Sequence, residues 1–281
     1  MALSVARYES ALELQLDGPL IRLRYSRNRY HYHPRVYRLH LEQLGECQPE
    51  DLGIGLGMLL RELLQVTAQA RPLLFRSTVS KDSPLLAVLR SMGFLETRRV
   101  YEPWLYPADV PETPLVPPTG TALTPLSSAL DRNLHRELVE LYVEIYARTS
   151  RLDPATPEQL SAEDWTDELL ADPDLDKDLS CCVFRGDRPV GLATVYRGEQ
   201  EDTIELGPFG VTKSELGMHQ QLTVAMLSRV IRQLRQASPE RTRLVAEVDS
   251  DDSWTLYTCA EFPFRPGATS VSLALVPAWV A

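Results

Sequence analysis

Apolar and polar residues alternate with a period of two over residues 11–16, 20–25 and 35–44, with Asp17-Gly18-Pro19 between the first two runs. That alternation gives each segment one apolar and one polar face, and predicts a hairpin followed by a third strand. The period then changes. After Leu52-Gly53-Ile54-Gly55-Leu56-Gly57 the apolar positions fall at helical spacing, a strand follows over 73–79, and a second helix ends at Met92-Gly93-Phe94. The same order returns near the C-terminus. There Gly217-Met218-His219-Gln220-Gln221-Leu222-Thr223 opens a helix running towards Gln236, a strand covers 243–248, and a helix ends at Phe262. Two long segments with matching order and spacing point to one supersecondary unit used twice.

Between the repeats, residues 107–121 hold five prolines and no periodicity. Proline lacks the amide hydrogen that helices and ladders need, so this stretch reads as a stiff, extended linker. It divides the chain into a first domain over 1–106 and a second over 122–281. In the second, Leu134, Leu138, Leu141 and Ile145 recur at helical spacing and predict a helix over 131–147. The acidic stretch 157–178, with Trp165, Leu169 and Leu170, reads as a further helix with loops. Strands follow over 179–185 and 189–196 around a Gly186-Asp187 turn, then over 203–211, and a last strand over 269–276 closes the second domain. The expected fold class is α+β: two repeats, each a mixed, mostly antiparallel sheet flanked by helices.

Composition narrows the function classes. At 281 residues and 44% hydrophobic content the chain can bury two cores. A net charge of -10 argues against a general nucleic-acid binder, which must neutralise phosphates. Arginine, tyrosine and histidine mix over 22–40, but their alternation fits the solvated faces of strands. The four cysteines lack zinc-ligand spacing and read as buried, reduced thiols, with Cys181 and Cys182 facing opposite ways along a strand. No metal site is expected. The N-terminus has no apolar leader and no stretch could span a membrane, so a soluble cytoplasmic protein is expected.

The repeated helix–strand–helix order, with Gly55 and Gly57 at a helix start and Leu256-Tyr257 ahead of Phe262, resembles the acyl-CoA-binding half of the GNAT superfamily of N-acetyltransferases. The resemblance implies a tandem member whose N-terminal repeat is truncated, lacking the first strand and first two helices. It implies acetyl-CoA as acyl donor, its pyrophosphate held by amides at a helix start. Unpaired N–H groups and the positive end of the helix dipole suit that task. The family's signature there is Arg/Gln-x-x-Gly-x-Gly/Ala. In the first repeat Leu52 replaces its polar residue. In the second the stretch is Met218-His219-Gln220-Gln221-Leu222-Thr223, with Gln221 and Thr223 in place of glycines and Gly217 just upstream.

Further roles carry over residue by residue. Tyr257 matches the family tyrosine that protonates the departing thiolate, whereas the first repeat has Leu89 there. In the strand Ile204-Glu205-Leu206-Gly207-Pro208-Phe209-Gly210-Val211, Gly207-Pro208 fits a bulge, and Phe209, Gly210 and Val211 match the backbone edge that pairs with pantetheine. Glu205 is the candidate base for the acceptor amine, with Glu247 a competitor. The acceptor would be a primary amine of a small molecule or peptide. The implied assembly is a monomer with an internal pseudo-dimer, or a homodimer. The other reading is a non-catalytic acyl-CoA-binding or structural pseudo-acetyltransferase, because the second glycine loop is altered.

Overall fold

A computed structural model describes residues 5–16, 20–27, 36–45, 47–70, 72, 74–112, 117–149, 166, 169–198, 200, 202–237 and 242–277. The expected turn at Asp17-Gly18-Pro19, Trp165 and most of the acidic stretch lie outside the described residues. The chain divides into two compact units, 1–99 with 269–281, and 100–268. Each is α+β, a mixed sheet flanked by helices.

In the first unit the alternating runs form β1 (Val5–Arg7), β2 (Ala11–Gln15), β3 (Leu20–Arg27) and β4 (Val36–Leu44), an antiparallel series. Strand β1 has no counterpart in the sequence reading. Leu12, Leu14, Ile21, Leu23 and Leu39 point into the core, while the alternate positions carry Glu13, Arg22 and Glu42. Arg22 donates to Glu13 (2.5 Å) and Glu42 (3.1 Å), so at this position the strand face is ion-paired; residues 28–35 of the basic run lie outside the described residues. Helix α1 (Pro49–Thr67) follows, then β5 (Leu74–Ser80), parallel to β4, and α2 (Pro84–Ser91). Helix α2 ends where Gly93 adopts a φ of 89° and the Phe94 amide returns to the Leu89 carbonyl, a glycine stop.

The glycine-rich segment is not a turn. Gly53, Gly55 and Gly57 all lie inside α1. A Cβ on Gly55 would stand 2.6 Å from Ile21 Cδ1, so this glycine seats the helix on the sheet.

One strand changes places. The strand expected to close the second domain, β14 (Thr269–Leu275), pairs antiparallel with β5 from Ser270↔Ser80 to Leu275↔Phe75. Val271 and Leu273 are buried in the first core. Strand β6 (Leu95–Tyr101) runs out of this unit, and its last residues, Val100 and Tyr101, belong to the second.

The second unit continues with β7 (Trp104–Leu105), β8 (Ala122–Pro125), α3 (Leu126–Leu130), α4 (His135–Thr149), β9 (Cys181–Arg185), β10 (Arg188–Arg197), β11 (Thr203–Val211), α5 (His219–Ala237), β12 (Arg243–Ala246), β13 (Val248–Asp249) and α6 (Ser253–Ala260). Six strands form one sheet in the order β7-β12-β11-β10-β9-β8. Its two faces have separate cores. Cys181, Val183, Ala193, Val195 and Leu206 meet α5, and Cys182, Phe184 and Leu192 meet α4. The neighbouring cysteines therefore do face opposite ways. Burial pushes the Cys181 thiol up to about 12 and raises Cys182 as well, so both are inert packing groups. The proline-rich segment lies within this unit: Val110 is buried against α5, and Arg235 donates to its carbonyl at 2.7 Å.

Candidate active site

Strands β11 and β12 run parallel and pair from Thr203↔Arg243 to Leu206↔Ala246, where the pairing stops. A bulge lies just beyond. On β10, Ala193 pairs with Phe209 and Val195 with Leu206, so Gly207 and Pro208 stand opposite Thr194 alone. Thr194 donates to the Pro208 carbonyl at 2.9 Å. A Cβ on Gly207 would come within 2.4 Å of the Tyr196 ring, and proline beside it withdraws a ladder donor. After the bulge Phe209, Gly210 and Val211 pair with β10 alone among the described strands. Meanwhile β13 turns to pair with the end of β6, Val248↔Tyr101 and Asp249↔Val100. The two strands thus open into a fork.

Helix α5 begins beside the free edge of β11. A 3₁₀ turn, Lys213–Met218, leads into it. Arg185 holds Glu215 in that turn by two bonds of 2.7 and 2.8 Å, which keeps the Glu215 carboxyl below its usual range. The Lys213 amide donates to Glu144 on α4 at 2.6 Å. Gly217, Gln220 and Gln221 are exposed, whereas His219, Leu222 and Thr223 are buried. Thr223 stands at a glycine position of the signature. Its hydroxyl lies 2.9 Å from the His219 carbonyl and 2.8 Å from the Thr258 hydroxyl, so it joins α5 to α6.

His219, in the stretch matched to the pyrophosphate signature, is 3% exposed. Its ring lies 4.7 Å from that of Trp254. Burial, with the Arg148 charge adding to it, lowers its pKa to about 4. The unfolded chain, with a histidine near 6.5, therefore takes up this proton first as pH falls. Stability present above pH 6.5 should be lost between pH 6.5 and 4. A His219→Leu variant should show a flatter melting-temperature curve over that window, and an unchanged slope would contradict the assignment.

Tyr257 lies on α6, whose neighbouring residues pack on the first turns of α5 through Trp254, Thr258 and the Glu261–Gln220 contact of 2.7 Å. Tyr257 itself is 64% exposed. It is therefore not a core aromatic. Leu89, its counterpart in the first unit, is fully buried.

Glu205 is exposed on the sheet face away from α5, opposite Tyr196 on β10 and Val245 on β12. Glu247, two residues beyond Val245, shares that face at the fork. A third carboxylate joins it that sequence reading missed. The ladder pairs Val245↔Trp104 on one side and Val248↔Tyr101 on the other, which sets Glu102 directly opposite Glu247. Desolvation, and then the Glu247 charge, raise the Glu102 pKa. Like charges directly opposite are unfavourable in a ladder, so the pair is not there for stability. Residue 102 stood in the presumed first domain, and only the strand register brings it here. Elsewhere in this unit a cavity of about 460 Å³ lies against the later turns of α5, lined by Val110, Ile231, Arg232, Arg235 and Phe262 among others. None of its lining residues belongs to the fork.

No protein-family model matches the chain, and none of the curated proteins matches it in sequence. Solved structures do match. A GCN5-related N-acetyltransferase from Sphaerobacter thermophilus is 17% identical with a TM-score of 0.66, covering 95% of this chain and 81% of that one. A tandem GNAT protein from the clavulanic acid biosynthesis pathway is 15% identical with a TM-score of 0.59, covering 95% and 82%. A GCN5-related N-acetyltransferase from Kribbella flavida is 16% identical with a TM-score of 0.53, covering 99% and 90%. The fold of the chain is that of the GNAT N-acetyltransferases, in a tandem arrangement. No helix among the described residues is long and apolar enough to cross a membrane.

Proposed function

We propose that the second unit is an acyl-CoA-dependent N-acetyltransferase that moves an acetyl group from acetyl-CoA to a primary amine of a small molecule or peptide, as a soluble cytoplasmic enzyme. The observation that carries this reading is the fork. Pairing of β11 with β12 ends at Leu206↔Ala246, leaving Phe209, Gly210 and Val211 without a second strand beside the head of α5, where the Val211 carbonyl accepts a bond from Arg148 at 2.6 Å. Pantetheine would pair with that edge as an added strand, and residues 217–223 would face the pyrophosphate. Amides on the edge would polarise the thioester carbonyl. The amine attacks that carbonyl directly, the tetrahedral intermediate collapses, and the thiolate leaves with a proton from Tyr257. Glu205 takes the proton lost by the amine, through water. Glu247 and Glu102 on the same face suit an acceptor that arrives as an ammonium ion. Holding both reactants in one cleft supplies much of the rate advantage.

Isothermal titration with acetyl-CoA, joined to thiol release over an amine panel, tests the reading. Glu205→Gln should cut turnover by about 10²-fold with acetyl-CoA affinity unchanged. If Glu247→Gln alone shows that loss, the base is Glu247. A second reading, a pseudo-acetyltransferase that binds acyl-CoA without turnover or serves only as structure, draws on the altered loop, where Thr223 ties α5 to α6 and leaves no glycine. Binding without turnover on any amine would favour it.

A further inference from the structure

We infer that the cavity on the later turns of α5 is a binding site for a small amphipathic carboxylate, a ligand with an apolar body and one acidic group. One wall is a single stripe of the helix, on which Ser228, Ile231, Arg232 and Arg235 recur at helical spacing. Met226, Val230 and Leu234 of the same helix point the other way, into the core. The facing wall is the segment that follows the 3₁₀ turn Pro107–Asp109. Polar bonds tie it at both ends. Arg265 donates to Asp109 at 2.7 Å, and Arg235 donates to the Val110 carbonyl at 2.7 Å. Pro111, with its φ fixed, stiffens the next step of that wall. The space between the walls is about 460 Å³, inside the roughly 300–1,000 Å³ usual for small-molecule sites.

The lining sets the chemistry of the occupant. Val110, Ile231 and Phe262 supply an apolar surface, and Val110 and Ile231 are themselves buried. The charged groups in the lining are Arg232, Arg235 and Glu112, two cations against one carboxylate, in a chain whose net charge is -10. Glu112 does not fill the cavity: its side chain is 88% exposed and lies 3.7 Å from Arg235. The carboxylates that adjoin the lining in sequence are engaged elsewhere, Asp109 by Arg265 and Glu261 by Gln220 at 2.7 Å. An ammonium ligand would meet two guanidinium groups of its own sign. A neutral apolar ligand would take water from them and return no acceptor. A carboxylate offers two oxygens to a guanidinium in matching geometry, and one such group balances the excess charge. Its apolar body then covers Val110, Ile231 and Phe262.

The test titrates the full chain with three probes of equal chain length: octanoate, octanol and octylammonium. Octanoate should bind saturably at a single site, with a Kd of about 0.1 mM, in keeping with the efficiency of so small a ligand. Octanol should bind about 10-fold more weakly, and octylammonium more weakly still. Arg232→Met keeps an apolar stem and removes the charge. It should lower octanoate affinity by about 10-fold or more and leave octanol unchanged, the scale for a lost hydrogen bond to a charged group. Arg235 is the poorer choice, because it also holds Val110. Ser228→Trp fills the cavity from its helical wall, and should abolish binding of octanoate and octanol alike. Should the tryptophan variant not fold, Arg232→Met, at an exposed position, carries the test by itself. Equal affinities for the three probes, octanoate binding that survives both substitutions, or no saturable binding to the folded wild type would overturn the inference.

Discussion

Tyr257→Phe should lower turnover by about 10²–10⁴-fold, the range for general acid catalysis, while acetyl-CoA affinity changes little. The substitution removes one hydroxyl and keeps the ring. Because Tyr257 is 64% exposed, the hydroxyl contributes nothing to a core, and the melting temperature should stay within a degree or two of wild type, as is usual for surface changes. Its helix is fixed by other residues: Asp252 caps it, accepting from the Thr255 amide at 3.1 Å, and Thr258 bonds Thr223. A loss of turnover therefore reports on the proton and not on the fold. The counterpart in the first unit sharpens this. Leu89 is fully buried in the first core, so Leu89→Tyr would place a phenol inside packed apolar side chains and create no acid. Steady-state kinetics on any acceptor amine decides the matter, and unchanged turnover in Tyr257→Phe would favour the non-catalytic reading.

The difference between these two positions was legible in the sequence, since a leucine cannot donate a proton. So were the strands and helices built on clear periodicity, such as β11, whose observed span matches the expected 203–211. The bulge at Gly207-Pro208 was legible because its two residues are the ones a ladder tolerates least. Other features were not. Glycines in a row suggested a phosphate turn at residues 52–57, but glycine also permits close packing, and Gly55 against Ile21 is that case. The burial of His219 was not legible, because nothing local tells that Trp254 will lie against it. Glu102 was missed for a different reason. Its place opposite Glu247 comes from strand register, a long-range property that no local pattern encodes.

The same limit applies to β14, and it leads to the largest expected effect on stability. The segment Thr-Ser-Val-Ser-Leu-Ala-Leu alternates well enough to predict a strand, but alternation does not say which sheet receives it. In the structure it lies between β5 and β6 in the sheet order, an interior position. Ending the chain at Ala268 should therefore unfold the first unit, not the second. The deletion exposes the whole β5 edge and removes the Thr78–Ser272 contact of 2.9 Å. It also takes Val271 and Leu273 out of the core, worth roughly 1.5–3 kcal/mol each. Against a typical total of about 5–15 kcal/mol for a whole domain, losing an interior strand and its backbone ladder is not survivable. Amide hydrogen exchange on the truncated chain should show lost protection in β5, α1 and α2, with β9, β10 and β11 still protected. Leu273→Ala, a milder probe, should cost about 2–5 kcal/mol and lower the same unit's stability. By the same reasoning a fragment of residues 119–281 is a poor isolate of the second unit. It lacks β7, which pairs with β12 through Leu105 and Trp104, and carries β14 with no β5 to receive it. Such a fragment should aggregate, whereas one spanning 100–268 should stay soluble and retain acetyl-CoA binding. Protection of β5 that survives removal of β14, or a well-folded 119–281 fragment, would show that the strand's place in the first sheet is dispensable.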